Sequence, residues 1–395
     1  MHAQAIIQNF LGQECSSIHV KRRSCLALIT GAAQHAGLGL LKLSRSVNSK
    51  AALRHRIKQC DRLLSNRHLA DERAQIYRAL TRRLLHSHRR VAIIVDWSDL
   101  LADISLHILR ASVVVSGRSI TIYEEVHPTK SYNVAAVHCR FMHALRAILP
   151  EGCEPIIVSD AGFRSTWFRM LDELGFAWVG RVRSRDMMRQ QGSHEWRGCK
   201  ASYAEATGRA KDLGLVDYVR KSPMQCRMVL IKKEQKGRTR KTVFGKKTQS
   251  AHSKKQARSQ REPWLLAVST NLDGMRACDI VKWYSYRMQI EQTFRDLKNP
   301  AWGMGLSTSQ TRKPQRIAAL LLIGALLSFA LWLIGLVALS IGYRVQYGSR
   351  TKAQQTVSVL TLARHWLSER NKSPTRRQLD QALIELREMI KTYDI

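Results

Sequence analysis

The pattern of apolar and polar positions changes texture several times along the chain. Up to about residue 75 it reads as helical, with runs such as CLALITGAAQHAGLGLLKL followed by the strongly basic RHRIKQCDRLLSNRHL. From Arg90 short apolar runs close on acids, as in RVAIIVDWSDL, and ILRASVVVSGRSITIYEEV predicts a hairpin turning at Ser116-Gly117-Arg118. A helix over about 133–149 follows, then EPIIVSDAGF, an apolar run ending in Asp160. Next come a helix near 166–174 and a strand, AWVGRVRS. Three strands, helix, strand, helix, strand predict an α/β fold with a mixed sheet.

Beyond Arg185 the pattern weakens, with strands near 216–231. The run Lys232–Glu262 holds twelve basic residues against two acids and reads as an exposed loop, either solvated or laid along a polyanion. Trp283–Pro300 reads as an amphipathic helix. Ile317–Tyr343 is uncharged and long enough to span a bilayer. Basic residues flank it on both sides and no second such segment exists, so a buried core helix or helix pair is favoured, with Gly335 or Gly342 as break points. A last helix is expected to start with Ser373 as N-cap and Pro374 at its first position. Its stripe of Leu379, Leu383, Leu386 and Ile390 faces a core or another subunit.

Charge narrows the partners. The 395 residues carry 65 Lys and Arg against 30 Asp and Glu, a net +35, which favours a polyanion because phosphate neutralisation releases condensed counterions. Nucleic acid leads, and an anionic membrane surface would attract the same charge. Eight cysteines occur without a C-x-x-C pair, which argues against a zinc site and for reduced thiols. The N-terminal stretch lacks the features of a secretory signal, so the expected location is the cytoplasm.

Chemistry concentrates in three carboxylates. Asp96 and Asp160 each close an apolar strand, where an ionised acid is costly unless paired. A right-handed crossover through the helix at 133–149 would set the two strands parallel and bring both acids to the same end of the sheet. On an ideal helix Tyr284, Arg287, Glu291 and Lys298 fall within roughly 60° of one another, with Trp283, Ile290, Phe294 and Leu297 on a separate apolar stripe. That polar stripe is either a set of surface ion pairs or half of an active site. Three carboxylates are hard donors suited to Mg²⁺, with Mn²⁺ able to substitute, and two ions can serve phosphoryl transfer. Arg287 and Lys298 would hold a DNA phosphate there, and Tyr284 would add a hydroxyl or a stacking face.

The spacing Y-x2-R-x3-E-x6-K, spelled Tyr284, Arg287, Glu291 and Lys298, resembles the signature of bacterial insertion-sequence transposases of the YREK group, which belong to the DDE class. DWSD at Asp96 and VSDAGF at Asp160 resemble that family's two strand-end aspartates. The resemblance implies a ribonuclease-H-like core with a β-rich insertion, flanked by helical N- and C-terminal regions. The implied layout is 1–75 for DNA-end binding, 76–185 and 264–315 for the two parts of the core, 186–263 for the insertion with its basic loop, and 316–395 for a helical region with dimer contacts.

By the same resemblance Asp96, Asp160 and Glu291 hold two Mg²⁺ ions, Trp264 stacks on a flipped base, Met288 helps push it out, and Arg183 with Arg185 contacts phosphate. The implied reaction is cut-and-paste transposition through a hairpin, by a homodimer on paired double-stranded DNA ends, without a membrane and at the bacterial nucleoid. A ribonuclease-H-fold nuclease or resolvase, and a non-catalytic DNA-binding protein, are the alternatives.

Overall fold

The computed structural model describes residues 2–86, 88–101, 103–183, 186–234, 249–251, 254, 262–347, 357–369 and 372–391. Most of the basic run Lys232–Glu262, and Arg185, lie outside the described residues. The chain divides into two compact units, one formed by residues 1–153 with 288–395 and the other by 154–287.

The first unit begins with five helices, Ala3–Glu14, Val20–Ala36, Leu40–Ser46, Leu53–Leu64 and Arg67–Leu85. An antiparallel meander follows: β1 (Arg90–Asp99), β2 (Leu106–Val114) and β3 (Ser119–Pro128), in the order β3-β2-β1. The predicted hairpin is present, because Gly117 supplies the positive φ of 68° its turn needs. β2 is buried along its whole length, so both faces of this sheet carry packed elements. Helix Ala135–Ile148 closes the segment.

The apolar run forms one unbroken helix, Pro314–Ser340, with Pro314 in its first turn. Its most apolar 18-residue window is 94% buried, so the side chains that could face lipid instead face protein. It packs on the N-terminal helices, on β3 and on helices Val359–Ser368 and Arg376–Lys391. Gly342, at φ 73°, stands just beyond its end rather than inside it. Gly335 does not break the helix: it lets the segment around Val359 approach, since a Cβ there would lie 2.4 Å from the Val359 carbonyl oxygen. Gly335→Ala should therefore cost about 1–3 kcal/mol of stability, read as a lower urea midpoint.

The last helix starts at Arg376, later than expected. Thr375 caps it in place of Ser373: Thr375 Oγ1 accepts from the Gln378 N–H at 3.2 Å, and Gln378 Oε1 accepts from the Thr375 N–H at 2.9 Å. This reciprocal box needs Glu or Gln three residues after the cap, and Ser373 has Arg376 there. Leu379, Leu383, Leu386 and Ile390 are buried within the same unit.

The second unit is a sheet in the order β4-β5-β10-β9-β8-β6-β7. Its strands are β4 (Glu154–Ser159), β5 (Ala177–Val182), β6 (Met187–Gln190), β7 (Arg197–Gly198), β8 (Lys211–Tyr218), β9 (Met224–Ile231) and β10 (Trp264–Val268). β4 and β5 are parallel, joined by helix Ser165–Glu173, and the other neighbours are antiparallel. Trp178 and Phe168, stacked 4.4 Å apart, fill the space between that helix and β5. Strands β6 to β9 are the predicted β-rich stretch. Helix Ala277–Tyr286 packs on β4, β5 and β9. The whole is the mixed α/β arrangement expected, consistent with a ribonuclease-H-like core.

Candidate active site

In the first unit, Asp96 is 8% exposed near the end of β1, and its Oδ1 accepts from the Trp97 N–H at 2.9 Å. Cross-strand register places Asp96 opposite Arg110, and Arg110 opposite Glu124. Directly opposed residues share a sheet face, so acid, base and acid form one buried row. Arg110 Nε donates to Glu124 Oε2 at 2.7 Å, and the Tyr77 hydroxyl donates to Glu124 Oε1 at 2.8 Å. A buried guanidinium is tolerable only with such partners.

The helix bearing Glu291, Met288–Lys298, lies over this face. Ile290, Phe294 and Leu297 bury its apolar stripe as predicted. Phe294 sits between two cations, with Arg110 Cζ at 4.8 Å and Lys298 Nζ at 5.8 Å from its ring centre. Lys298 Nζ also donates to Ser98 Oγ at 2.7 Å, tying the last turn of the helix to β1 two residues beyond Asp96. Burial lowers the Lys298 ammonium from its ordinary value; Asp99 opposes this, Arg110 adds to it and Asp96 opposes it. The other end is tied too: Gln289 Oε1 accepts from the Val115 N–H at 3.1 Å, and Thr293 Oγ1 from the Ser119 N–H at 3.1 Å. Glu291 is thus carried on a helix fixed to all three strands of the meander.

On the opposite face of β1, Trp97 donates from Nε1 to His138 Nε2 at 3.0 Å, and its ring meets His107, His127 and Tyr132. Burial, helped by His127, lowers the His138 imidazole from 6.5 to about 4. A depressed histidine means that the unfolded chain takes up the proton first, so stability is full above 6.5 and is lost as pH falls towards about 4. His138→Gln, which retains an acceptor for Trp97, should flatten that part of the curve of unfolding free energy against pH.

In the second unit, Asp160 follows β4 directly, and its Oδ1 accepts from the Gly162 N–H at 2.7 Å. A Cβ at position 162 would lie 2.9 Å from the same oxygen, so glycine is what lets the loop fold back on this carboxylate. Tyr284 is 4% exposed, its ring edge-on to Trp264 with centres 4.9 Å apart. Burial raises the Tyr284 phenol, with Arg287 and Arg181 pulling it down and Asp160 pushing it up, so Tyr284 stands within the field of Asp160. Trp264 is half-buried at the start of β10, with Lys233 Nζ 5.2 Å from its ring centre. Arg183 is exposed, 3.8 Å from Glu262.

The long helix expected through Tyr284 and Lys298 is interrupted at Arg287, between helices Ala277–Tyr286 and Met288–Lys298. The Arg287 N–H bonds to the Tyr284 carbonyl three residues back, at 3.1 Å, which tightens the turn and ends ideal 100° stepping. Tyr284 and Arg287 consequently belong to the second unit, and Glu291 and Lys298 to the first. Met288, at the junction, is 46% exposed.

Motif reading missed Arg110, Glu124, Ser98 and the Trp97–His138 pair. Register could have found the first two, because Arg110 and Glu124 lie seven residues either side of Gly117 in the predicted hairpin. Among the described residues, no group of three or more His, Cys, Asp or Glu is assembled as a metal cluster. The chemistry of Asp96, Asp160 and Glu291 nonetheless suits a hard divalent cation, since each offers carboxylate oxygen. None of the eight cysteines is in a disulfide.

A family model described as the transposase DDE domain matches residues 87–329. The chain belongs to the DDE transposase family. The match begins just before β1 and ends within helix Pro314–Ser340, so it takes in Asp96, Asp160 and Glu291. DDE transposases are DNA-cleaving and DNA-joining enzymes that use divalent metal ions, generally Mg²⁺. No curated protein matches the chain.

Proposed function

We propose that this DDE transposase is a cut-and-paste enzyme of the YREK group. Its substrate is then the terminal inverted repeats of its own insertion sequence. Asp96, Asp160 and Glu291 are the metal-binding and catalytic set, taking two Mg²⁺ ions or Mn²⁺ in their place. Bound there, the ions would activate an attacking oxygen and offset charge on the leaving one. The observation that carries the reading is the construction around Asp96 and Glu291. Asp96 lies in β1 and Glu291 on a helix tied to that strand by the Lys298–Ser98 hydrogen bond, with the Phe294 ring against both Arg110 and Lys298.

The chain's own side chains then do the following. Lys298 and Arg287 hold a strand phosphate for in-line attack. Water first frees a 3′-OH, and that hydroxyl attacks the opposite strand to form a hairpin, whose reopened end joins target DNA. Forming the hairpin requires one base to leave the stack. Trp264, braced by Tyr284, supplies the face on which it stacks, and exposed Met288 fills the vacated space. Arg183 and Arg185 track the backbone. Two ends must meet, so the working form is a dimer on double-stranded DNA, in the cytoplasm at the nucleoid. The organisation proposed is end binding by 1–75, a core of 76–185 and 264–315 split by the insertion 186–263, and dimer contacts within 316–395.

The test is incubation of the full chain with a labelled duplex ending in the element's inverted repeat, with and without Mg²⁺. Nicking followed by a hairpin of doubled strand length on a denaturing gel is expected, and chelation should stop both. Metal-dependent nicks without a hairpin would favour a ribonuclease-H-fold nuclease. Binding without any cleavage would leave a DNA-binding protein.

A further inference from the structure

A cavity of about 480 Å³ in the first unit uses none of the individual site residues named above, and one of its walls lies within the 1–75 segment proposed for end binding. One wall is the turn joining helices Val20–Ala36 and Leu40–Ser46, and the other is the Pro300–Thr308 loop that follows the Glu291 helix. Lys42, Arg45, Arg364 and His35 line it, and among the described residues no acidic side chain does. Its volume lies within the ordinary range for a ligand site.

The cavity is built rather than incidental. The Leu38 N–H donates to the Met304 carbonyl at 2.7 Å, pinning the two walls together. Gly37 adopts a φ of 69°, and a Cβ there would lie 2.5 Å from the Met304 carbonyl oxygen, so only glycine permits the contact. Arg364 is held in place by donating from one terminal nitrogen to the Trp302 and Gly303 carbonyls at 2.8 and 2.9 Å. Its buried Nε has no hydrogen-bond partner among the described residues. Burial lowers the guanidinium and Asp296, which already pairs with Arg118, opposes this, so an incoming anion would add to that opposition. The loop also carries Trp302, which is 76% exposed although its backbone N–H is fixed by Asn299 Oδ1 at 2.9 Å. A large aromatic ring left in solvent beside a basic hollow is what recognition of a nucleic-acid strand uses.

We propose that this cavity is a second DNA-binding subsite: Lys42, Arg45 and Arg364 hold a backbone phosphate, and Trp302 stacks on an adjacent unpaired base. Its lining begins at Pro300, immediately beyond the helix bearing Glu291, and Trp302 stands four residues past Lys298 in sequence, where a strand leaving a cleavage site would be retained. The inference needs only DNA binding, and it stands or falls separately from the hairpin chemistry.

The test uses the full chain carrying Asp160→Asn in chelator, so that binding is read without turnover, and a fluorescein-labelled duplex made both blunt and with a short single-stranded tail. Lys42→Glu with Arg45→Glu should weaken binding by about tenfold or more and reduce the slope of log affinity against log salt by about 2. Lys130→Glu with Arg377→Glu changes net charge equally at two other exposed positions and should cost about threefold or less. Trp302→Ala should weaken the tailed duplex by about fivefold or more, and the blunt one less. Equal losses in the two charge-reversal pairs would overturn the subsite. So would a Trp302→Ala chain that binds DNA normally and changes only its sedimentation, which would assign Trp302 to a second copy of the chain.

Discussion

Asp160→Asn is expected to reduce strand cleavage by about a hundred- to a thousandfold while leaving fold and DNA affinity near those of the parent. The asparagine keeps the carbonyl oxygen that accepts the Gly162 N–H, so the loop after β4 retains its bond. What disappears is the negative charge, and with it a hard ligand that a divalent cation requires. The magnitude follows from what preorganised electrostatic groups contribute to transition states. Single-turnover cleavage of an end-labelled duplex, with binding measured in parallel, separates the two effects. Cleavage within a few-fold of the parent would remove Asp160 from the catalytic set and end the DDE assignment of this residue.

Glu124→Ala should be the most damaging single change to stability, costing about 3–5 kcal/mol. Glu124 is 1% exposed and is the partner of both Arg110 and Tyr77. Its removal takes away the carboxylate hydrogen-bonded to the Arg110 guanidinium and leaves Asp96, opposite Arg110 on the same face, as the acid that remains in the row. Breaking a buried pair from one side costs far more than replacing both members. The double change Arg110→Met with Glu124→Leu should therefore recover much of the loss. Urea titrations of the three chains test this. A loss below about 1 kcal/mol for the single change would show that water reaches the pair.

The sequence made much of this readable, for local reasons. Short apolar runs gave β1 to β5 because most of them are closed by acids or turns, and Gly117 marked the hairpin. Helix Pro314–Ser340 was visible as an apolar run and its burial was expected, but which helices cover it was not legible, since that is set by long-range packing. The cap at Thr375 was misplaced because Ser373-Pro374 looks like a start, and only Gln378 decides between them. The interruption at Arg287 was invisible: no glycine or proline marks it, and its sign is one three-residue hydrogen bond. Among the site residues, the spacing of Glu291 and Lys298 survives on one helix, where Lys298 reaches Ser98. The buried row of Asp96, Arg110 and Glu124 escaped because a motif scan reads along the chain, whereas that row runs across it.

The first unit is discontinuous, built from residues 1–153 and 288–395 around a helix that is translated late. A growing polypeptide on the ribosome has therefore finished its N-terminal helices and β1 to β3 long before the apolar rod that completes their interior has been synthesised. Until Ser340 emerges, those surfaces stay open to chaperones and proteases. Fragments ending before Pro314 should accordingly be aggregation-prone rather than act as soluble competitors of the full enzyme, so for this transposase premature termination amounts to clean loss.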